Sequence, residues 1–146
     1  MATFTSHSAE QTVAFGECWG RKVKAGTVLG LAGDLGAGKT QFVIGLARGL
    51  GITSRVQSPT FALVHEYLEG RLPLAHIDLY RLDTPEQMIG AGLHEYLESP
   101  KGVVVVEWCE RWPPFRSSQP PPQFCRVQIK HVDESTRELT YDDSCP

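Results

Sequence analysis

The run Gly33-Asp34-Leu35-Gly36-Ala37-Gly38-Lys39-Thr40 limits what this chain can fold into more than any other stretch. It fits G-x-x-x-x-G-K-[ST] without a gap. Residues 27–32 before it are short and apolar, in the manner of a strand. Residues 41–50 after it place apolar side chains at 42, 43, 46, 47 and 50, a helical spacing that Gly51 stops. Glycines at 33, 36 and 38 admit backbone turns closed to other residues, so main-chain N–H groups can converge on one hollow. The helix N-terminus adds its own donors and dipole, which suits a phosphate. Lys39 supplies a charge for outer phosphates, and the Thr40 hydroxyl is a ligand for Mg²⁺. Residues 33–40 and Gln41 are therefore the expected nucleotide contacts. A glycine-rich turn ending in Lys-Thr by accident is expected in about one per cent of chains this long, before the flanks are considered.

A chain of 146 residues suits one domain, residues 1–146, with a proper core. With 41% hydrophobic and 21% charged residues it has the composition of a soluble globular protein. A net charge of −3 and a pI near 5.9 leave no broad basic face to hold a polyanion by charge alone. Cys18, Cys109, Cys125 and Cys145 are scattered without a C-x-x-C pair, and read as free thiols of a reducing compartment. No apolar run approaches a membrane span and the N-terminus lacks a signal-peptide core, so the cytoplasm is the expected location.

Ser8 and Gln11 resemble a capping box opening a helix to about Lys24, expected to bury Val13, Ala14, Cys18, Trp19 and Val23. Residues 61–67 and 72–80 read as two strands joined by a hairpin at 68–71, with Pro73 marking an edge or a beginning. Asp83-Thr84-Pro85-Glu86 starts a helix that Gly90 and Gly92 break, and a second short helix covers about 93–98. Val103-Val104-Val105-Val106-Glu107 reads as a central strand buried on both faces and closed by an acid. Residues 111–123 are Pro-rich and read as a connector, 124–130 and 137–141 as an antiparallel pair, and 142–146 as a frayed tail. The sum is an α/β phosphate-loop NTPase fold, with a mixed, largely parallel sheet flanked by helices and extended by antiparallel hairpins.

Hydrolysis needs an acid for the metal shell and a group to position water. Asp78 and Glu107 stand at strand ends, where α/β ligand crevices form. Thr60 follows Ser58-Pro59 on the loop where switch segments sense a γ-phosphate; a plain turn residue fits equally well. His65 and His76 fit either catalysis or the packing of a strand, and Trp108 either packing beside the nucleotide or the core.

Taken in order, the phosphate loop, Ser58-Pro59-Thr60-Phe61, His76-Ile77-Asp78-Leu79-Tyr80-Arg81 and Val106-Glu107-Trp108-Cys109-Glu110-Arg111 resemble the TsaE (YjeE) family over about residues 8–130. The resemblance implies an ATPase of tRNA threonylcarbamoyladenosine synthesis that does not itself transfer the threonylcarbamoyl group. Its implied partners are a threonylcarbamoyltransferase subunit and its non-catalytic paralogue (TsaD and TsaB type), with tRNA reached through that complex. It further implies Lys39 and Thr40 as phosphate and Mg²⁺ ligands, Asp78 as a metal-shell acid and Glu107 as the hydrolytic carboxylate, also within reach of the metal. Thr60 becomes the switch threonine, Thr12 a neighbour of the adenine and Trp108 the tryptophan beside the nucleotide. Cys109 departs from the family's usual proline, which loosens the turn after Glu107 and leaves a thiol near the site.

Two rival classes are a small-molecule kinase and a GTP-dependent switch. The first usually needs an arginine-bearing lid, for which there is no large insertion. The second lacks an Asn-Lys-x-Asp guanine-reading motif. With no obvious second cation, turnover by the chain alone is expected to be slow. Arg81, Arg111 or a partner residue would supply the missing charge.

Overall fold

A strand without an exposed residue, β2 (Val28–Ala32), stands at the centre of the sheet. The computed structural model describes residues 1–34, 38–59, 62–111, 123–142 and 145. The expectations for Leu35, Gly36, Ala37 and Thr60, and for most of the Pro-rich connector, lie outside these. The remaining elements are β1 (Ala2–Ser6), α1 (Ala9–Lys22), α2 (Lys39–Gly49), β3 (Val64–Tyr67), β4 (Leu74–Asp78), α3 (Pro85–Gly90), α4 (Leu93–Glu98), β5 (Val103–Glu107), a 3-10 turn (Cys109–Arg111), β6 (Phe124–His131) and β7 (Arg137–Tyr141).

The described strands form one seven-stranded sheet in the order β1-β7-β6-β2-β5-β4-β3. The four inner strands β6, β2, β5 and β4 are parallel, while β1, β7 and β3 are added antiparallel. This is the expected mixed α/β sheet, parallel in its middle. One consequence fixes the site: β1 runs in the same direction as β6, so β1, β6, β2, β5 and β4 all end at the same edge.

Helices cover both faces. On one, Trp19 of α1, Phe42 and Leu46 of α2, and Leu50 at its C-terminal cap pack on Leu29, Leu31 and Val105. On the other, Met88, Leu93 and Leu97 pack on Ile77, Val104 and Val106. Alternation along each buried strand sends odd and even residues to opposite faces, which is why the four consecutive valines are all buried.

Ser8 caps α1 as expected, its Oγ accepting from the Gln11 N–H at 3.1 Å, while Gln11 Oε1 accepts from the His7 N–H at 2.7 Å. The face of α1 that is buried differs from expectation. Val13, Trp19 and Val23 are inside, but Ala14 and Cys18 are exposed. The seam runs instead through Gly16 and Gly20, which meet Gly45 and Gly49 of α2. A Cβ on Gly16 would collide with the Phe42 carbonyl, and one on Gly45 with the Val13 carbonyl. Two helices at this distance leave no room for side chains between them, so small residues rather than apolar ones mark the contact.

Three further differences have local causes. β1 is too short and too near the terminus to carry a strand signal; it is held by pairing with β7 and by Phe4 stacking on Phe15 with ring centroids 4.2 Å apart. The strands expected at 61–67 and 72–80 are shorter, β4 beginning directly after Pro73. Cys125 and Cys145 form a disulfide, with Cα atoms 5.7 Å apart, so the reading of four free thiols is corrected; Cys18 and Cys109 are free. Because β7 runs antiparallel to β6, the chain leaving Tyr141 returns to the start of β6, which brings together cysteines 20 residues apart. That bond anchors Cys145 within the tail expected to fray. Among the described residues, no helix is long and apolar enough to cross a membrane.

Candidate functional site

At the shared strand edge lies a cleft of about 630 Å³, within the size range of small-ligand sites. Its floor is the start of α2, with Gly38, Lys39, Thr40 and Gln41 lining it. Gly38 caps that helix at φ 104° and Gly33 leaves β2 at φ 150°, conformations that favour glycine. The helix therefore presents its unpaired N–H groups and positive dipole end to the cleft.

Lys39 is 5% exposed. Its Nζ donates to Gly33 O at 2.5 Å and Asp34 O at 3.0 Å, and sits 3.9 Å from the centre of the Trp108 ring. Burial pulls its pKa below the usual lysine value, and the charges of Glu107, Glu110, Asp78 and Asp34 oppose that fall. Gly33 and Asp34 thus enter the site as carbonyls holding the lysine rather than as lining of the cleft.

Two buried carboxylates face it from neighbouring strands. Asp78 and Glu107 are each 3% exposed and stand directly opposite one another in the β4–β5 ladder. Thr40 Oγ1 donates to Glu107 Oε1 across a long 3.4 Å, and His76 Nε2 donates to Glu107 Oε2 at 2.5 Å. Asp78 accepts from Ser58 Oγ at 3.2 Å and from the Tyr80 N–H at 2.8 Å. Both acids are thus aimed, one at the helix that carries Thr40 and the other at the segment leading to residue 60.

Trp108 follows Glu107 at φ +61°, a backbone conformation that costs a residue with a side chain about 1 kcal/mol. This turn lays its ring along the cleft, against Lys39 and 5.0 Å from the ring of Tyr80. Thr12 also lines the cleft, but its hydroxyl is shared with Ser6 Oγ at 2.7 Å. The thiol of Cys109 is not in the cleft. It is wholly buried beneath the sheet, and burial, followed by the charge of Glu110, pushes it up to about 12, which leaves it unreactive.

The structure thus gathers Thr12, Gly38, Lys39, Thr40, Gln41, Asp78, Glu107 and Trp108 around one cleft. His65 stays out on the edge strand, its Nδ1–H donating to Gln57 O at 3.1 Å. Arg81 is exposed and does not line the cleft. Sequence reasoning missed Ser58, Tyr80, and the wall made by His7, Ser8, Glu134, Ser135 and Arg137. The first two had a faint signal, since they lie within motifs named above without a role of their own. The wall had none, because it depends on β1 and the β6–β7 turn reaching the same edge, a matter of strand order.

Among the described residues two buried acids, Asp78 and Glu107, meet one buried lysine, so a divalent cation fits the excess negative charge beside Thr40. Among the described residues, no three His, Cys, Asp or Glu side chains converge to hold a metal by themselves. This donor set fits an ion that shares its shell with phosphate oxygens and water.

A family model described as "Threonylcarbamoyl adenosine biosynthesis protein TsaE" matches residues 6–139. Similar curated proteins, each called "tRNA threonylcarbamoyladenosine biosynthesis protein TsaE", include one from Nostoc sp. (strain PCC 7120), 43% identical over 132 residues that span 88% of this chain and 78% of the relative. The one from Treponema pallidum is 41% identical over 92% of this chain and 96% of its own. The crystal structure of Bacillus subtilis YdiB superposes with a TM-score of 0.72 at 35% identity, over 96% of this chain and 83% of that one.

Proposed function

The chain belongs to the TsaE family, and from that footing we propose that it is a phosphate-loop ATPase of the cytoplasm serving tRNA threonylcarbamoyladenosine formation, working with TsaD- and TsaB-type subunits. The observation that supports this best is the meeting of Lys39 and Thr40, on one helix N-terminus, with Asp78 and Glu107 across the same cleft.

In this reading Lys39 leaves its carbonyl partners to engage the outer phosphates, and main-chain N–H groups of the loop and first helical turn hold them. Thr40, Glu107 and Asp78 are the residues that would hold Mg²⁺, which would supply positive charge to offset that of the phosphates. Glu107 also orients the attacking water, and Thr60 serves as the switch residue. Trp108, fixed by its turn, shields Lys39 and flanks the nucleotide, while Thr12 stands on the side of the adenine. Arg137 lines the cleft, its Nη1 donating to the carbonyls of Asp133 and Thr136, whereas Arg81 does not line it. Slow turnover alone and acceleration by the partner subunits follow if a further cation comes from outside.

The deciding experiment is ATP turnover by the full chain, alone and with the two partner subunits and tRNA. Stimulation of tenfold or more, roughly 1.4 kcal/mol of barrier, supports the proposal. Phosphoryl transfer to a small acceptor would favour a kinase instead, and preference for GTP a guanine-nucleotide switch.

A further inference from the structure

His76 has no exposed surface, yet it stands on the sheet face that carries Leu74 and, one pleat further along, Asp78. A ring with two polar nitrogens in such a place is costly unless it is hydrogen-bonded. Its bond is to Glu107: His76 Nε2 and Glu107 Oε2 are 2.5 Å apart, on adjacent parallel strands. An ionised carboxylate only accepts, so Nε2 carries the hydrogen. Nδ1 has no hydrogen-bond partner among the described residues, so a neutral ring with its hydrogen on Nε2 leaves no buried N–H unmet.

We infer that His76 is a positioning residue for nucleotide-bound metal: by holding Glu107 Oε2 from behind, it turns Oε1 to Thr40 and the cleft. The inference rests on the ATPase reading of this cleft and deepens it. Without the imidazole, no other donor among the described residues is bonded to the inner oxygen of Glu107 and the carboxylate can rotate, so the pair of Thr40 and Glu107 oxygens is no longer set for an ion. Partners behind metal ligands act in this manner, and their loss typically costs about 10–100-fold in metal affinity.

Three full-length proteins test this: wild type, His76→Leu and His76→Gln, whose longer amide can place a donor near the position of Nε2. Calorimetry measures ADP binding in EDTA and then the Mg²⁺ concentration that gives half of the metal-dependent gain. ADP affinity in EDTA should stay within about twofold throughout, since among the described residues the hydrogen bond of His76 goes to Glu107 and not to the loop, while the Mg²⁺ requirement of His76→Leu rises about 10–100-fold. His76→Gln should recover most of that loss. A leucine variant with the wild-type Mg²⁺ requirement, or a glutamine variant no better than leucine, overturns the role. Should the leucine variant not fold, His76→Asn, whose shorter amide falls short of Glu107, replaces it in the comparison. A long-range proton–nitrogen spectrum of the wild type gives an independent readout: His76 should carry its hydrogen on Nε2, and a hydrogen on Nδ1 alone overturns the proposal. Wild-type protein that binds no nucleotide would instead overturn the ATPase reading itself.

Discussion

Replacing Gly45 by alanine should destabilise this protein, although alanine is the better helix former. Gly45 lies inside α2, the helix that presents Lys39 and Thr40 to the cleft. In an open helix the change would gain about 0.8–1 kcal/mol of propensity. Here the new methyl group meets the Val13 carbonyl, with the Glu17 nitrogen 2.9 Å away. These are backbone atoms and cannot rotate aside, so the two helices must part. Overpacking of this kind costs about 1–3 kcal/mol. Contact with rigid backbone puts it at the upper end, leaving a net loss of about 2 kcal/mol after the propensity gain. The thermal midpoint should then fall by about 4–8 °C. Gly90 is the control: it is helical, lacks a positive φ, and has nothing within 4 Å of an added Cβ. Its replacement by alanine should raise stability by about 0.4–1 kcal/mol. Urea unfolding followed by circular dichroism measures both. A Gly45→Ala variant as stable as wild type would refute the close-packed seam.

Burial lowers the Lys39 pKa in the fold, so the charged lysine costs stability at pH values below that folded value. The cost fades as pH rises towards the unfolded value of 10.5. Lys39→Met should therefore compare best with wild type near neutrality and lose ground by pH 10 in paired unfolding curves; the opposite trend would contradict a desolvated ammonium. Glu107→Ala should retain ADP binding in EDTA but lower partner-stimulated turnover about 10²-fold or more, read by phosphate release. Unchanged turnover would remove Glu107 from the chemistry. Thiol titration of protein unfolded without reductant should count two free thiols, Cys18 and Cys109. Reduction should cost about 3 kcal/mol for a loop of this length; four free thiols before reduction would refute the Cys125–Cys145 bond.

Much of the fold follows from local chemistry. The four valines before Glu107, the Thr84-Pro85 start of α3 and the glycine loop each specify their own element, and the structure has β5, α3 and α2 there. Pairings between distant segments were hidden. Gly16, Gly20, Gly45 and Gly49 carry no hydrophobic signal, so the α1–α2 seam appears only when the helices are laid together. The Cys125–Cys145 bond likewise depends on a hairpin returning the chain to the start of β6. The candidate site divides along the same line. Lys39, Thr40, Asp78 and Glu107 are legible because each ends or starts an element next to the loop. Ser8, Glu134 and Arg137 are not, since only the sheet order carries them to the same edge. His76 falls between: its spacing of two from Asp78 on one strand puts both on one face, but its target on β5 required the strand pairing.

The most direct measurement is a calorimetric titration of ATP with Mg²⁺ into the wild type and the Lys39→Met variant. The account predicts saturable binding at one site per chain for the wild type and its loss in the variant, with the fold intact by circular dichroism. Equal affinity in the two proteins would contradict a cleft built to grip a nucleotide's phosphates.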